Sequence, residues 1–306
     1  MKTHFKFIKY TKVWFIFSAL LLLIGIGAMI NNKIQYGSYL ELGIDFTGGT
    51  LMELKFDKLQ DNMPPLLKDA IDSAVAPNTV NQISETDQGT YIIHGKDLSS
   101  QQYDAAIASI KSKLGAFEQI RFTTIGPTIG SSLKSRAVLA IIVALIAIVF
   151  YLAYAFRKVP KRVNPWKFGI CAIVALFHDV LTTVGIFALL QYEIDAFFIT
   201  AVLTVIGFSN HDTIVVFDRI RENLKNQERD QTFGDVADIS LNQTLGRSIN
   251  TSLSTLFTLI ALYIFGPDSI KLFVFALIIG ITIGTYSSIF IASPLLTLWQ
   301  EKSRVR

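Results

Sequence analysis

Ionisable residues stand at three places inside otherwise apolar sequence, and a charge in a hydrocarbon environment costs at least about 2.5–3.5 kcal/mol on insertion scales. The first is Asp212, in Gly207-Phe208-Ser209-Asn210-His211-Asp212-Thr213 near the end of an apolar stretch. Low dielectric favours the neutral acid and a nearby cation favours the carboxylate, so a balanced aspartate takes up and releases protons near neutral pH. His211 beside it also titrates in that range, but on a helix it points about 100° away. The second is Arg247. With Asn250, Thr251, Ser254 and Thr258 it repeats at helical spacing and draws one polar stripe along an apolar helix. Such a stripe belongs against protein or water, and Arg247 is the candidate cation for Asp212. The third is His178-Asp179, in the middle of another apolar stretch. It is either a cross-helix polar pair or a part of the same proton route. The plainer readings are an aspartate paired only for assembly and an arginine that anchors its helix at the interface.

A glycine-rich segment, Gly43-Ile44-Asp45-Phe46-Thr47-Gly48-Gly49-Thr50, marks a tight turn into a strand, with Gly43, Asp45, Gly48 and Gly49 as its hinge residues. It is not a Walker loop, because no Lys-Ser/Thr follows the glycines. Gly280 and Gly284 form a small-xxx-small face for helix packing, followed by Ser287 and Ser288. No metal-ligand cluster, nucleophile elbow or dinucleotide fingerprint is present, so the expectation is a non-enzyme without metal or bound cofactor. The single cysteine, Cys171, excludes an intrachain disulfide.

The elements that hold these residues are transmembrane. Over 306 residues, 51% are hydrophobic and 17% charged, with a mean hydropathy of +0.45. The apolar residues gather into runs long enough to cross about 30 Å of hydrocarbon. Six spans are predicted, at 13–30, 137–156, 168–190, 196–217, 248–265 and 272–296. The first lacks a small-x-small cleavage pattern and reads as an uncleaved span. Lys and Arg number four before the first span, five in Arg157–Lys167, five in 218–247 and three in the tail; the opposite short loops hold Lys271 alone. Both termini are therefore expected in the cytoplasm. The long segment between the first two spans is then extracytoplasmic. It alternates as strands at Thr50–Asp57, Thr79–Glu85, Thr90–His94 and Phe117–Ile125. Asp87-Gln88-Gly89 supplies a hairpin turn, and helical spacing appears at Pro64–Val75 and Ser99–Leu114. The order βαββαβ predicts an α+β ferredoxin-like domain. The expected organisation is 1–31 for the N-terminus and first span, 32–135 for this domain, and 136–306 for the other five spans. Within 218–247, Phe233 to Leu245 predicts an amphipathic helix lying along the membrane surface.

Three stretches together resemble the SecF branch of the SecD/SecF family of bacterial protein-export membrane proteins. They are Gly43–Thr50, the run Val205 to Asn223 around Asp212, and Arg247 to Ser252 with Gly284 to Phe290 and Pro294. Family members commonly carry Ile-Asn before the aspartate, where this chain has Asn210-His211; the aspartate is kept. The resemblance covers nearly the whole chain. It implies a six-helix half-unit similar to RND transporters, in the bacterial inner membrane, without nucleic-acid partners. It also implies work with SecD beside the SecYEG translocon, where the proton-motive force drives preproteins across at a late, ATP-independent stage. Asp212 and Arg247 match the implied proton relay. A proton-driven RND-like exporter of lipids or small molecules is the alternative that keeps Asp212 and changes the cargo.

Overall fold

The computed structural model describes residues 5–57, 62–85, 89–157, 164–226 and 231–302. Lys2, Lys158, Lys161, Arg162, Arg229, Arg304, Arg306 and the Asp87-Gln88 part of the hairpin turn lie outside the described residues. The chain forms two compact units, Leu42–Val138 and the remainder, Met1–Glu41 with Leu139–Arg306.

The first unit carries β1 (Gly49–Phe56), α3 (Met63–Ala74), β2 (Val80–Glu85), β3 (Thr90–Gly95), α4 (Ser100–Leu114) and β4 (Phe117–Ile125), preceded by the one-turn helix α2 (Ile44–Thr47); α1 is the first span, Thr11–Tyr36. The sheet is antiparallel in the order β2-β3-β1-β4, which is the predicted split βαββαβ arrangement. Met52, Leu54 and Phe56 point from β1 into a core with Met63, Leu67, Ala70 and Ile71 of α3 and Ala106, Ile110 and Leu114 of α4. Those helical positions recur every three or four residues, so each helix offers one continuous apolar face. Pro64 and Pro65 open α3, where a missing N–H costs nothing. Ser99 and Gln102 cap α4 reciprocally, and their hydrogen bonds are 3.4 and 3.0 Å.

Asp72 fastens α3 to β2. Its carboxylate accepts from the N–H groups of Thr79 and Val80, both at 2.9 Å, and pairs with Lys68 at 3.1 Å. Burial opposes its ionisation, but the Val80 N–H, the Lys68 ammonium and the Thr79 N–H outweigh it and hold the carboxyl below its ordinary range. A depressed folded pKa gives stability that is present above the unfolded pKa and lost as pH falls through the folded one. The segment 42–138, expressed alone, is expected to fold. Asp72→Asn should lower its stability at pH 7 by about 1 kcal/mol, because the pair is partly screened. Urea titrations at pH 7 and pH 2 check this: the gap should close at the lower pH, and an equal gap at both rejects the assignment.

Among the described residues, α1, α5 (Pro127–Ala155), α6 (Pro165–Leu190), α7 (Ala196–Lys225) and α8 (Phe233–Phe265) supply five of six apolar helices long enough to span a membrane, all in the second unit except the part of α5 up to Val138. The sixth is composite: α9 (Lys271–Ser287), a π-helical turn (Ser288–Ala292) and α10 (Ser293–Lys302). Pro294 has no N–H to return to Phe290, and the ladder widens just ahead of it. The last span, α6 and α7 are half-buried, whereas α1, α5 and α8 are mostly exposed. Close packing of backbones sets this arrangement. A Cβ added to Gly25 of α1 would stand 2.8 Å from the Cα of Gly185 in α6, and one on Gly284 of α9 would stand 2.8 Å from Ser209 Cβ in α7. The small-xxx-small face of α9 therefore meets α7.

The region predicted as a helix on the membrane surface is instead the first part of α8, continuous with the fifth span. Phe233, Val236, Ala237 and Leu241 are buried in the protein core with Phe217, Ile220 and Leu224 of α7. The N-terminal segment also seats on it. The Phe5 N–H donates to Asn242 Oδ1 at 3.1 Å and the Ile8 N–H to Asp238 Oδ1 at 3.0 Å. An amphipathic face reports burial without reporting against what, and here protein covers it.

Candidate functional site

The buried polar residues concentrate where α6, α7 and α9 meet. Asp179 of α6 is 1% exposed. Its Oδ2 accepts from Ser209 Oγ of α7 at 2.6 Å and from Ser287 Oγ of α9 at 2.8 Å, and its Oδ1 faces His178 Nδ1 at 3.0 Å. One carboxylate thus joins three helices and has a partner on each oxygen. One turn further along α7, Thr213 Oγ1 meets Ser288 Oγ of the π turn at 2.9 Å. The Ser288 hydroxyl donates back to the Gly284 carbonyl at 2.8 Å.

Asp212 lies on the same buried face of α7 as Ser209, three residues on, and is 6% exposed. The Asp212 carboxyl and the Ser248 hydroxyl of α8 are neighbours, but neither Oδ2 nor that hydroxyl makes a well-formed hydrogen bond. His211 points outward and is exposed, as the helical angle predicts. Among the described residues no ion pair joins Asp212 to Arg247 or His211. Arg247 borders a cavity of about 380 Å³ between α7 and α8, shared with Asp218, Arg219, Glu222 and Gln243. Arg247, Asn250, Thr251 and Ser254 of the stripe are exposed. The hydroxyls of Thr251 and Ser254 donate to carbonyls one turn back, at 2.9 and 2.8 Å.

The structure therefore separates the predicted site residues into two groups. Asp179 forms a network with His178, Ser209 and Ser287, in which His178 Nε2 keeps no partner, and Asp212 stands next to it with an unpaired oxygen. Sequence reasoning did not single out Ser209, Ser287 or Ser248 as partners. The available signal was spacing: Ser209 precedes Asp212 by three, and Ser287 follows Gly284 by three, which puts each on an already identified face. In the glycine segment, Gly48 and Gly49 take φ of +74° and +125°. A Cβ on Gly49 would stand 2.5 Å from the Gly95 carbonyl oxygen, and one on Gly48 would stand 2.8 Å from Pro127 Cα. Only glycine suits both positions. Gly43 caps α2, which the sequence reading missed, and Asp45 lies within that turn. Among the described residues no group of three or more His, Cys, Asp or Glu is placed to hold a metal ion.

Comparison with known proteins gives this arrangement a context. Residues 105–302 match the family "Protein export membrane protein SecD/SecF, C-terminal", and residues 40–58 match the "SecD/SecF GG Motif". A protein translocase subunit SecF from Thermobaculum terrenum is 46% identical over 281 residues, 87% of each chain. One from Synechocystis is 37% identical over 305 residues, 96% of this chain and 93% of its own. The crystal structure of SecDF, a translocon-associated membrane protein from Thermus thermophilus, superposes with a TM-score of 0.83 at 30% identity. That match covers 98% of this chain but 39% of the solved one, so this chain spans about two-fifths of the SecDF polypeptide. With the buried aspartate of α7, the paired glycines and the six apolar helices all falling inside these matches, the chain belongs to the SecD/SecF family of protein-export membrane proteins, as a SecF translocase subunit.

Proposed function

We propose that this chain, together with a SecD partner beside the SecYEG translocon, uses the proton-motive force to move preproteins at a late, ATP-independent stage. Asp212 is the proton-carrying group and Arg247 the cation that responds to it. The observation that carries this reading is the unpaired Oδ2 of buried Asp212. A carboxylate held by several donors resists protonation, whereas one with an open oxygen accepts a proton without breaking a network. Asp179, engaged on both oxygens, serves as a brace, and His211 and His178 are secondary to Asp212. The polar stripe of α8 is open in the single chain. A polar face toward lipid is costly, so a partner helix covers it, and the longer SecDF chain of the solved relative supports SecD as that partner. Each charge that crosses the membrane potential supplies about 2.3 kcal/mol per 100 mV. That suffices to bias two packed arrangements of α7 and α8, with the glycine segment as the hinge of the outer domain. The family places the chain among transport proteins, not enzymes. The test is late-stage translocation of a secreted precursor in membrane vesicles depleted of the chain. Restoring the chain should restore stimulation only when a proton-motive force is present. Stimulation without that force overturns the coupling.

In this reading both termini are cytoplasmic and 32–135 is extracytoplasmic, in the bacterial inner membrane. In a variant without Cys171, a cysteine at exposed Gln101 should react with an impermeant maleimide once any outer barrier is removed. One at Asn226 should not. The reverse pattern inverts the topology.

A further inference from the structure

A chain end frays unless something ties it down, and residues 5–10 are tied to α8. Asn242 of α8 grips Phe5 by both backbone groups. Its Oδ1 accepts from the Phe5 N–H at 3.1 Å and its Nδ2 donates to the Phe5 carbonyl at 2.8 Å. Nδ2 also donates to the Asp238 carbonyl at 2.8 Å, so the oxygen and both hydrogens of the amide are engaged. One turn earlier on α8, Asp238 Oδ1 accepts from the Ile8 N–H at 3.0 Å. The 3-10 turn Ile8–Tyr10 and α1 have no side-chain cap of their own, so a carboxylate from α8 caps the start of the first span. Phe7 is 3% exposed, in the same core as Phe233, Val236, Ala237 and Leu241 of α8. Its ring also packs on Phe290 of the π turn, with centroids 5.8 Å apart. Trp14 Nε1 donates to the Phe7 carbonyl at 3.2 Å and closes the segment onto α1.

Along the rest of its length α1 packs on α6 and the π turn, so this clasp is its principal hold on α8. The same unbroken helix α8 carries Ser248, the neighbour of Asp212. Ser248 stands six residues beyond Asn242, about 9 Å along the axis at 1.5 Å per residue. A stiff helix displaced at Ser248 is therefore displaced at Asn242 as well. At its other end α1 leads directly into the unit that begins at Leu42. We propose that Asp238 and Asn242 are positioning residues of a clasp that couples α8 to α1. Through it, the rearrangement of α8 that follows protonation of Asp212 reaches the unit 42–138 by way of the first span. This coupling rests on the Asp212 reading and supplies the route by which work done at α7 and α8 leaves them.

The test uses vesicles depleted of the chain and reconstituted with full-length variants. Asp238→Ala with Asn242→Ala releases the clasp and should reduce force-dependent stimulation to the level without the chain. Asp212 should still titrate in that variant. Dicyclohexylcarbodiimide attacks the protonated carboxyl, so labelling of the α7 peptide, read by mass spectrometry, should fall as pH rises, as in the wild type. Covalent repair separates coupling from a merely structural anchor. In a Cys171→Ala, Asp238→Ala background, Phe5→Cys and Asn242→Cys release the clasp, and a short bismaleimide, added in detergent before reconstitution, closes it again. Stimulation should be lost without the crosslink and return to at least half the wild-type level with it. Full stimulation in the released variants, with Asp212 still titrating, overturns the coupling alone, and so does a crosslink that leaves stimulation at the released level. Labelling of Asp212 that does not vary with pH overturns the Asp212 reading, and the coupling falls with it.

Discussion

Asp212→Asn is expected to reduce force-dependent stimulation of translocation to the level of vesicles lacking the chain, while the protein still inserts and assembles. Asparagine keeps the volume and hydrogen-bonding capacity of the side chain but cannot titrate. The open Oδ2 means that no network depends on the charge, so stability should change little. Arg247→Met should have a similar effect, because it removes the charge to which Asp212 responds. The double variant should then be little worse than either single one, since residues that act as a unit are not additive. The structure adds a discriminating variant. Among the described residues no direct ion pair joins Arg247 to Asp212, so in the proposed coupling charge matters more than the forked geometry of arginine. Arg247→Lys should therefore retain most of the stimulation. Vesicle assays with and without a proton-motive force decide each case. Full stimulation in Asp212→Asn would remove this residue from the mechanism.

Asp179 should show the opposite behaviour. Its carboxylate faces three polar partners on three helices, and Asp179→Ala leaves all of them buried without it. Removing one member of a buried charged network typically costs about 3–5 kcal/mol. Hydrogen bonds between membrane helices are weaker, near 0.6 kcal/mol on average, so about 3 kcal/mol is expected. The variant should lose its folded fraction at a clearly lower temperature in detergent, measured by the heat resistance of the monodisperse peak. Asp179→Asn should lose less, because the serine hydroxyls can turn to accept from the amide. It should also keep force-dependent stimulation. An Asp179→Asn protein that is stable but inactive would instead put this residue in the proton route.

The six apolar helices and the α+β domain were legible because both are set by local physics. Hydrocarbon demands about twenty apolar residues in a row. Strands and helices bury one face at periods of 2 and 3.6, as Met52, Leu54 and Phe56 do on β1 and Met63, Leu67 and Ile71 on α3. The cap of α4 is local in the same way, because Ser99 and Gln102 are three residues apart. Asp212, Arg247, His178 and Asp179 were visible as candidates because a charge in an apolar run is costly wherever it sits. Only the tertiary structure decided their partners. Ser209 and Ser287 lie 30 and 108 residues from Asp179 in sequence, and helical phase says which face a residue occupies but not which helix it meets. For the same reason the apolar face of Phe233 to Leu241 pointed to burial, while tertiary packing decided that protein and not the membrane surface covers it. The exposure of the Arg247 stripe depends likewise on how the helices share their interfaces. No single helix carries that information, because the contacts that choose among packings form only when the helices meet.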